Sequence, residues 1–319
     1  MNESSALFNG SMIKFDPYTN TTLGIINFPG ITEVYDEHAS GIHWDSRTKL
    51  VSIVIDAQPA FLTNGANASG DYWLIKYSPL QKKEVWRANL TALTNAKWSG
   101  FQDVTVSSDG YSFVVGTYPK SIIRVDPSGK ELVAWYPPQT TNTSVHGFTG
   151  VASLGDGNTL IAIDANDVPE DIPSGTGNSQ LYRFDMSSPK GIPKIIPRFP
   201  EGITLGVPDA IFLPRKYHGR VLLAVINYVG VTVLVSKDNW NTAHQMGTIR
   251  SKFPEFFKRI VTATVQVGDE KLFLLGQYFP GSIVPGTKGG NQSVFPVFDI
   301  TGEVDALVNK GYNTLSLLM

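Results

Sequence analysis

One pattern recurs five times along this chain. A short segment of alternating apolar residues is followed by a tight polar turn with glycine or lysine and then by a second, more apolar segment. The five copies begin at residues 41, 103, 150, 209 and 262. Self-similarity of this kind is the signature of repeat architectures, in which each unit buries its apolar face against the next. The spacing is close to that of propeller blades, so the chain is predicted to form a closed array of antiparallel sheets.

A third strand-like segment follows each copy. These segments span residues 72–77, 121–126, 180–185, 230–235 and 294–299. Two further segments, at 12–16 and 22–28, resemble third and fourth strands with no first strand before them, which is typical of circular closure. We predict an all-β fold, a six-bladed β-propeller of four-stranded antiparallel blades whose chain ends share one blade, with five blades as the alternative. Residues 1–319 are expected to form a single domain.

Charge and cysteine content exclude several functions. The net charge is −2 and charged residues make up 17% of the chain, so no basic field is available to bind nucleic acid. The chain contains no apolar run of the roughly 18 residues that a membrane span needs. Without cysteine, disulfides, thiolate catalysis and Cys-ligated zinc are excluded. Oxygen and imidazole chemistry remain, and we expect a monomer.

Asparagine sequons predict the compartment. Seven Asn-x-Ser/Thr sequons begin at Asn2, Asn9, Asn20, Asn67, Asn89, Asn142 and Asn291. Such sequons are acceptors for N-glycosylation in secreted proteins. Residues 1–10 show no basic region followed by an apolar one, so a signal peptide is absent from this sequence. We predict a glycoprotein of the secretory pathway or a secreted one.

Polar residues occupy the strand ends that would face one mouth of a propeller channel, namely the starts of first strands and the ends of second strands. The candidate acid/base residues are Glu37, Asp56, Asp103, His146, Asp164 and Asp209. The candidate substrate-binding residues are His38, Gln102, Tyr118, Asn166, Asn227, Tyr228 and Tyr278. Aromatic residues such as Trp98 and Phe101 lie in the same regions, and an apolar ligand would require such a lining.

Three interpretations of these carboxylates stay open. Neighbouring carboxylates can raise one pKa and so place a general acid beside a general base without any metal or other cofactor. Aspartates at strand ends can instead cap backbone groups. In the third interpretation the oxygens bind Ca²⁺, a hard cation. Its candidate ligands are Glu37, Asp103, Asn166, Asp209 and Asn227.

Familiar motifs of other enzyme classes are missing from the sequence. It contains neither His-Glu-x-x-His nor Gly-x-Ser-x-Gly, so a zinc hydrolase and a serine nucleophile have no support. Its glycine pairs lack the strand-to-helix context of a phosphate loop, which argues against a nucleotide cofactor.

Four segments carry a resemblance that spans most of the chain. They are Leu23–Tyr35 (LGIINFPGITEVY), Tyr72–Pro79 (YWLIKYSP), Gly100–Gly110 (GFQDVTVSSDG) and Ser236–His244 (SKDNWNTAH). The chain resembles a family of fungal six-bladed propellers encoded with the genes for trichothecene mycotoxins, related to strictosidine-synthase-like and gluconolactonase-like propellers. The resemblance implies a role in trichothecene biosynthesis and virulence, and an apolar small-molecule substrate.

An oxygen-ring cyclase is a chemically reasonable activity for such a family. An acid protonates an allylic hydroxyl, water leaves, and a second hydroxyl closes the ring; the step needs an acid, a base and a funnel that excludes water. We therefore favour a metal-free acid/base cyclase or lyase-type enzyme. The gluconolactonase-like relatives hold a divalent cation, so a calcium-dependent lactonase-like hydrolase is one alternative.

A non-catalytic secreted propeller that binds a partner through its loops is the other alternative. The carboxylates distinguish the two classes of protein. An enzyme should hold carboxyl groups with raised pKa in a closed apolar funnel. A binding protein should show every Asp and Glu side chain turned into a backbone cap.

Overall fold

The computed structural model describes residues 2–5, 10–19, 21–32, 37–165, 179–201, 205–251, 261–276 and 297–316. Two predicted site residues, Asn166 and Tyr278, lie outside these ranges. In the described ranges, no helix is long and apolar enough to cross a membrane.

Each of the five repeated copies forms the first two strands of an antiparallel blade. The first blade contains β4 (Glu37–Asp45), β5 (Leu50–Ala57), β6 (Trp73–Ser78) and β7 (Lys83–Asn89). The second contains β8 (Ser99–Val106), β9 (Ser112–Tyr118), β10 (Ser121–Val125) and β11 (Leu132–Tyr136). The third contains β12 (Phe148–Ser153), β13 (Thr159–Asp164), β14 (Leu181–Asp185) and β15 (Lys194–Ile195). In these three blades consecutive strands are neighbours, as in a propeller blade.

The fourth and fifth blades extend this pattern. The fourth contains β16 (Arg198–Phe199), β17 (Pro208–Phe212), β18 (Val221–Ile226), β19 (Gly230–Val235) and β20 (Ala243–Arg250). The fifth contains β21 (Val261–Val267), β22 (Lys271–Gly276) and β23 (Val297–Asp299). Strand β16 pairs with β20 in parallel and makes the fourth blade five-stranded. The predicted all-β propeller built on four-stranded antiparallel blades is confirmed. Three blades have four strands, the fourth gains β16 as a fifth, and the described residues of the fifth blade form three.

The chain ends differ from the prediction. Strand β1 (Asn2–Ser5) precedes β2 (Met12–Asp16) and β3 (Thr21–Ile26), and the three form a separate antiparallel sheet in the order β1-β2-β3. The expectation that the N-terminal strands lack a preceding strand is therefore wrong. The described C-terminal residues form the helix α3 (Thr301–Ser316), and no described strand pair joins the two chain ends. The structure shows the five-blade alternative, and the count of six blades is not confirmed.

The chain divides into two compact units. One unit comprises residues 1–160 with 184–192, and the other comprises 161–183 with 193–319. The division passes through the third blade, in β13 and β14. The assignment of residues 1–319 to a single domain stays a prediction.

In the first unit, strand β5 packs on both of its faces. Ile53 and Ile55 join Met12 and Phe28 in one apolar cluster. The alternate residue Val54 joins a second cluster with blade-two residues such as Phe101. A strand that is buried on both faces needs apolar residues at nearly every position, which explains its continuous apolar run. In the second unit, α3 covers a cluster of valine and leucine side chains with Val304 and Val308.

Three short helical segments connect the strands. Helix α1 (Gln58–Leu62) follows β5 directly, and Pro59 lies in its first turn, where a missing N–H costs nothing. Helix α2 (Thr91–Thr94) and a 3₁₀ turn (Arg215–Tyr217) complete the set in the described residues.

Two glycines in one turn offer a matched stability test. Gly157 has φ +66°, and a Cβ built on it would lie 2.6 Å from Ser108 Cβ and 2.8 Å from Ser108 N. A Cβ on Gly155 would meet nothing within 4 Å. We expect Gly157→Ala to lower the free energy of unfolding by about 2 kcal/mol or more, from left-handed backbone strain plus displacement of Ser108. Gly155→Ala should change it by less than about 0.5 kcal/mol. Urea denaturation measures both, and equal losses would contradict the packing of these turns.

Candidate functional site

A buried His–Asp pair lies at one end of the first blade. The antiparallel register of β4 and β5 places His38 opposite Asp56. His38 Nε2 is 3.9 Å from Asp56 Oδ2, and the two residues are 4% and 2% exposed. The predicted meeting of a first-strand start with a second-strand end is therefore present in this blade.

Burial shifts the pKa values of the pair in opposite directions. Loss of water lowers the pKa of His38 to about 4. The same effect raises the pKa of Asp56 well above its usual range, although contacts from the backbone N–H groups of Ala57 and Phe101 oppose it. Both shifts favour the uncharged forms, a carboxylic acid at Asp56 and a neutral imidazole at His38. Oppositely displaced pKa values are the arrangement that acid/base catalysis uses.

Polar atoms of this region lack hydrogen-bond partners. His38 Nδ1, Asp56 Oδ1 and Glu37 Oε2 are all buried and unpaired. Each such atom costs about 1–3 kcal/mol relative to a satisfied one. Folded proteins rarely keep such atoms without a reason, and a ligand that pairs with them is one.

Aromatic side chains surround the pair. Helix α1 places the ring of Phe61 5.8 Å from the ring of His38. Tyr72 is fully buried and meets Phe101 edge to face at 5.5 Å. Burial and the nearby Asp56 raise the pKa of Tyr72, so its hydroxyl stays protonated. Of these aromatic residues, only Phe101 is predicted from the sequence as part of the lining. Phe61 lies in a connecting helix, and Tyr72 belongs to a predicted third strand, so neither pattern indicated a place beside the pair.

Glu37 lies next to His38 in the chain and is half-buried. Burial raises its pKa to about 7; the nearby Trp73 indole and Arg87 lower it, and Asp71 raises it. Glu37 can therefore exchange a proton near neutral pH.

Asp103 has a different environment. Its Oδ1 accepts the Val104 N–H at 2.8 Å, and its Oδ2 accepts the Val151 N–H of β12 at 2.9 Å. A Cβ on Gly41 of β4 would lie 2.4 Å from Asp103 Cα, so three first strands meet at this residue. Burial raises its pKa to about 7, although both backbone N–H groups lower it. With both oxygens bound to backbone, Asp103 fits the capping interpretation.

Tyr118 and His146 form a second contact in the first unit. The ring of Tyr118 lies between Gly65 and Gly100, whose added Cβ atoms would be 2.6 Å and 2.4 Å from it. His146 packs on the Tyr118 ring at 5.3 Å. The carbonyl oxygen of Gln102 accepts a hydrogen bond from Ser40 Oγ at 2.9 Å. Two of the predicted residues, Tyr118 and His146, are therefore in contact.

Four predicted residues that the structure describes belong to the second unit. Asp164 is fully buried and accepts the Gln180 N–H at 2.8 Å. Asp209 is half-buried beside an irregularity in the pairing of β17 with β18. Asn227 keeps its side-chain oxygen buried and unpaired, and Tyr228 is 38% exposed with φ +63°.

The calcium interpretation stays a prediction. One of its ligands, Asn166, lies outside the described residues, and Asp103 already gives both oxygens to backbone N–H groups. Among the described residues, no three His, Cys, Asp or Glu side chains are close enough together to hold a metal ion. The described carboxylates therefore form no cluster that would hold calcium by themselves, and no step of the chemistry is routed through the ion.

Two curated fungal proteins match nearly the whole chain. Trichothecene biosynthesis protein 14 of Trichoderma arundinaceum is 32% identical over 95% of this chain and 83% of its own length. The chain belongs to the trichothecene protein 14 family. Another member, core trichothecene cluster protein 14 of Fusarium sporotrichioides, is 30% identical over 95% of this chain and 80% of its own. No protein-family model matches the chain.

Solved structures support the fold of this trichothecene protein 14 family member. The Malassezia sympodialis allergen Mala s 1 superimposes with a TM-score of 0.74 at 20% identity, covering 93% of this chain and 88% of the allergen. The β-propeller domain of Myceliophteria thermophila Cps50 (Swd1) gives a TM-score of 0.53 at 10% identity, with 94% and 79% coverage. At these identities the likeness shows the propeller fold alone.

Titration of His38 tests the environment of the pair. We expect its imidazole to titrate near pH 4 in the folded protein, against 6.5 for an ordinary histidine. The unfolded chain takes up this proton first, so the contribution of His38 to stability is present above pH 6.5 and is lost as the pH falls toward 4. NMR of the imidazole C–H signals, with His38→Gln to assign the resonance, measures the midpoint. A midpoint near 6.5 would contradict the buried, uncharged pair.

Proposed function

We propose that this protein acts in trichothecene biosynthesis by closing an oxygen ring in a hydroxylated sesquiterpenoid through acid/base dehydration. Both curated relatives carry the pathway in their names, which supports the pathway. The His38–Asp56 pair supports the chemistry, because it sets a carboxylic acid beside a neutral base in an apolar setting.

The reaction follows from the two protonation states. Asp56 donates its proton to an allylic hydroxyl of the substrate, the C–O bond breaks, and water leaves with both bonding electrons. A second hydroxyl oxygen of the same molecule attacks the allylic cation and forms the new C–O bond. His38 accepts the proton that this oxygen loses. The net change is the loss of one water, with no change in oxidation state.

The geometry also allows both side chains to return to their starting protonation states. After ring closure, Asp56 is a carboxylate and His38 an imidazolium. Their 3.9 Å separation joins the two charges as an ion pair, and a small movement brings Nε2 and Oδ2 within hydrogen-bond distance. Because burial disfavours both charges, the proton returns from His38 to Asp56.

Burial also limits side reactions. An allylic cation is captured by any water that reaches it, and the low exposure of both residues keeps bulk water away. Phe61 is half-buried and lies against His38, so we expect its side chain to move when the substrate enters.

The hydrogen bonding of the carboxyl groups distinguishes an enzyme from a non-catalytic binding protein. Asp103 gives both oxygens to backbone N–H groups, as a binding protein requires. Asp56 also has backbone contacts but keeps Oδ1 unpaired, and Glu37 keeps Oε2 unpaired. This difference favours an enzyme. Secretion and a contribution to virulence stay predictions.

Replacing the acid gives a sharp test. We expect Asp56→Asn to lower kcat by about 10²- to 10⁴-fold, because the amide keeps the shape of the neutral carboxyl but cannot donate its proton. His38→Gln should give a similar loss. The assay incubates purified protein with the hydroxylated precursor and follows ring closure by mass spectrometry and NMR.

Glu131→Gln is the control, since it neutralises an exposed carboxyl in the same unit and should leave kcat unchanged. Unchanged turnover in Asp56→Asn would overturn the assignment. A parallel incubation with EDTA separates the alternatives, because loss of ring closure there would support the calcium interpretation instead of a metal-free acid/base step.

A further inference from the structure

Three of the seven sequons have described side chains, and their environments differ. Asn67 and Asn142 are exposed, whereas Asn89 is half-buried. The contrast separates asparagines that can accept a modification from one that the fold already uses.

Asn67 and Asn142 share one local geometry. Asn67 Oδ1 accepts the N–H of Ser69 at 3.0 Å, and Asn142 Oδ1 accepts the N–H of Ser144 at 3.1 Å. In each case the bond joins the asparagine to the hydroxyl residue of its own sequon. Neither Nδ2 atom donates to an acceptor in the described part of the chain, so the nitrogen that an N-linked sugar uses faces solvent.

Asn89 has both ends of its amide occupied. Its Oδ1 accepts the N–H of Thr91 at 2.9 Å, and its Nδ2 donates to Asp71 Oδ1 at 3.3 Å. The sequon hydroxyl is used as well, because Thr91 Oγ1 donates to the Gly70 carbonyl and accepts the Tyr72 N–H, each at 3.0 Å. A glycan on Asn89 would crowd the contact between its Nδ2 and Asp71, which joins the end of β7 to the segment before β6.

We propose that Asn67 and Asn142 are N-glycosylation sites and that Asn89 is not one. The donor is a lipid-linked oligosaccharide diphosphate. The asparagine Nδ2 forms a bond to the anomeric carbon of the sugar and loses one proton. The bond from that carbon to the diphosphate oxygen breaks, and the lipid diphosphate leaves with the electron pair.

The two sites lie on loops that touch. A Cβ on Gly65 would be 2.3 Å from the Thr143 carbonyl oxygen and 2.6 Å from the Tyr118 ring. The loop of Asn67 and the loop of Asn142 therefore pack together beside Tyr118. Next to them, an open cleft is lined by Trp98, Pro138 and Thr141 among others. Two glycans at this place would cover one edge of the first unit and shield its partly exposed tryptophan.

Site-by-site occupancy tests the proposal. The full chain is expressed behind a cleavable secretion signal in a glycosylating yeast, and both secreted and retained protein are digested with peptide N-glycosidase in H₂¹⁸O. Peptide mapping then detects each formerly glycosylated asparagine as ¹⁸O-labelled aspartate. We expect label at positions 67 and 142 and none at 89.

Variants make the result specific. Asn67→Gln and Asn142→Gln should each remove one glycan mass, whereas Asn89→Gln should remove none. Ser69→Ala should abolish labelling at 67 while Ser69→Thr retains it, which ties the effect to the sequon with little change in the fold. Unlabelled Asn67 or Asn142 in the wild-type chain, or labelled Asn89, would overturn the proposal.

Discussion

The joining of neighbouring blades is the constraint on which the first unit depends. The described first strands of different blades belong to separate sheets, so no backbone ladder connects them. Side chains make the connection, together with single backbone hydrogen bonds such as that from Ser108 N–H to the Gly157 carbonyl. Asp103 accepts the Val151 N–H of the next blade, Thr105 Oγ1 bonds Ser153 Oγ at 2.8 Å, and Arg47 donates to the Ser107 carbonyl. A buried N–H without a partner is costly, so Asp103 stabilises the junction mainly by satisfying one.

The candidate site depends on this junction. Asp56 belongs to the first blade, but a backbone N–H of Phe101, from β8 of the second, contributes to its environment. The Phe101 ring also packs on Tyr72 of the first blade. Holding β8 in place therefore keeps the His38–Asp56 pair dry. The unpaired atoms of the pair reduce stability, and the well-packed apolar clusters around them offset that loss, as is common where strain is kept for function.

Sequence patterns predicted the strands because burial dictates them. Alternation and apolar runs identified both strands of all five copies. Strand polarity placed His38 and Asp56 at the same end of the first blade, and the register of β4 and β5 then sets them opposite each other. Strand β1 was not predicted because Asn2–Ser5 has no apolar alternation. Its pairing with β2 uses backbone groups that any sequence supplies. Helix α3 was not predicted because its glycine and valine residues lower its helix propensity, although Val304, Leu307 and Val308 follow helical spacing. Its contacts, not its propensity, stabilise it.

The role of each aspartate depends on its balance between burial and hydrogen-bond donors, which a sequence position does not reveal. Asp126 lies in the turn after β10. Its slight burial raises its pKa, but hydrogen bonds from Ser128, Lys130 and Glu131 outweigh this effect and lower the pKa to about 2. Asp103 is buried with two backbone donors, and its pKa rises to about 7. Asp56 is buried with an unpaired oxygen, and its pKa rises well above the usual range. Asp56 and Asp126 lie at strand ends, whereas Asp103, predicted to begin a first strand, lies inside β8. Asp126 is therefore a fixed anion and Asp103 links neighbouring blades, whereas burial of Asp56 favours the protonated carboxyl that the proposed acid catalysis requires.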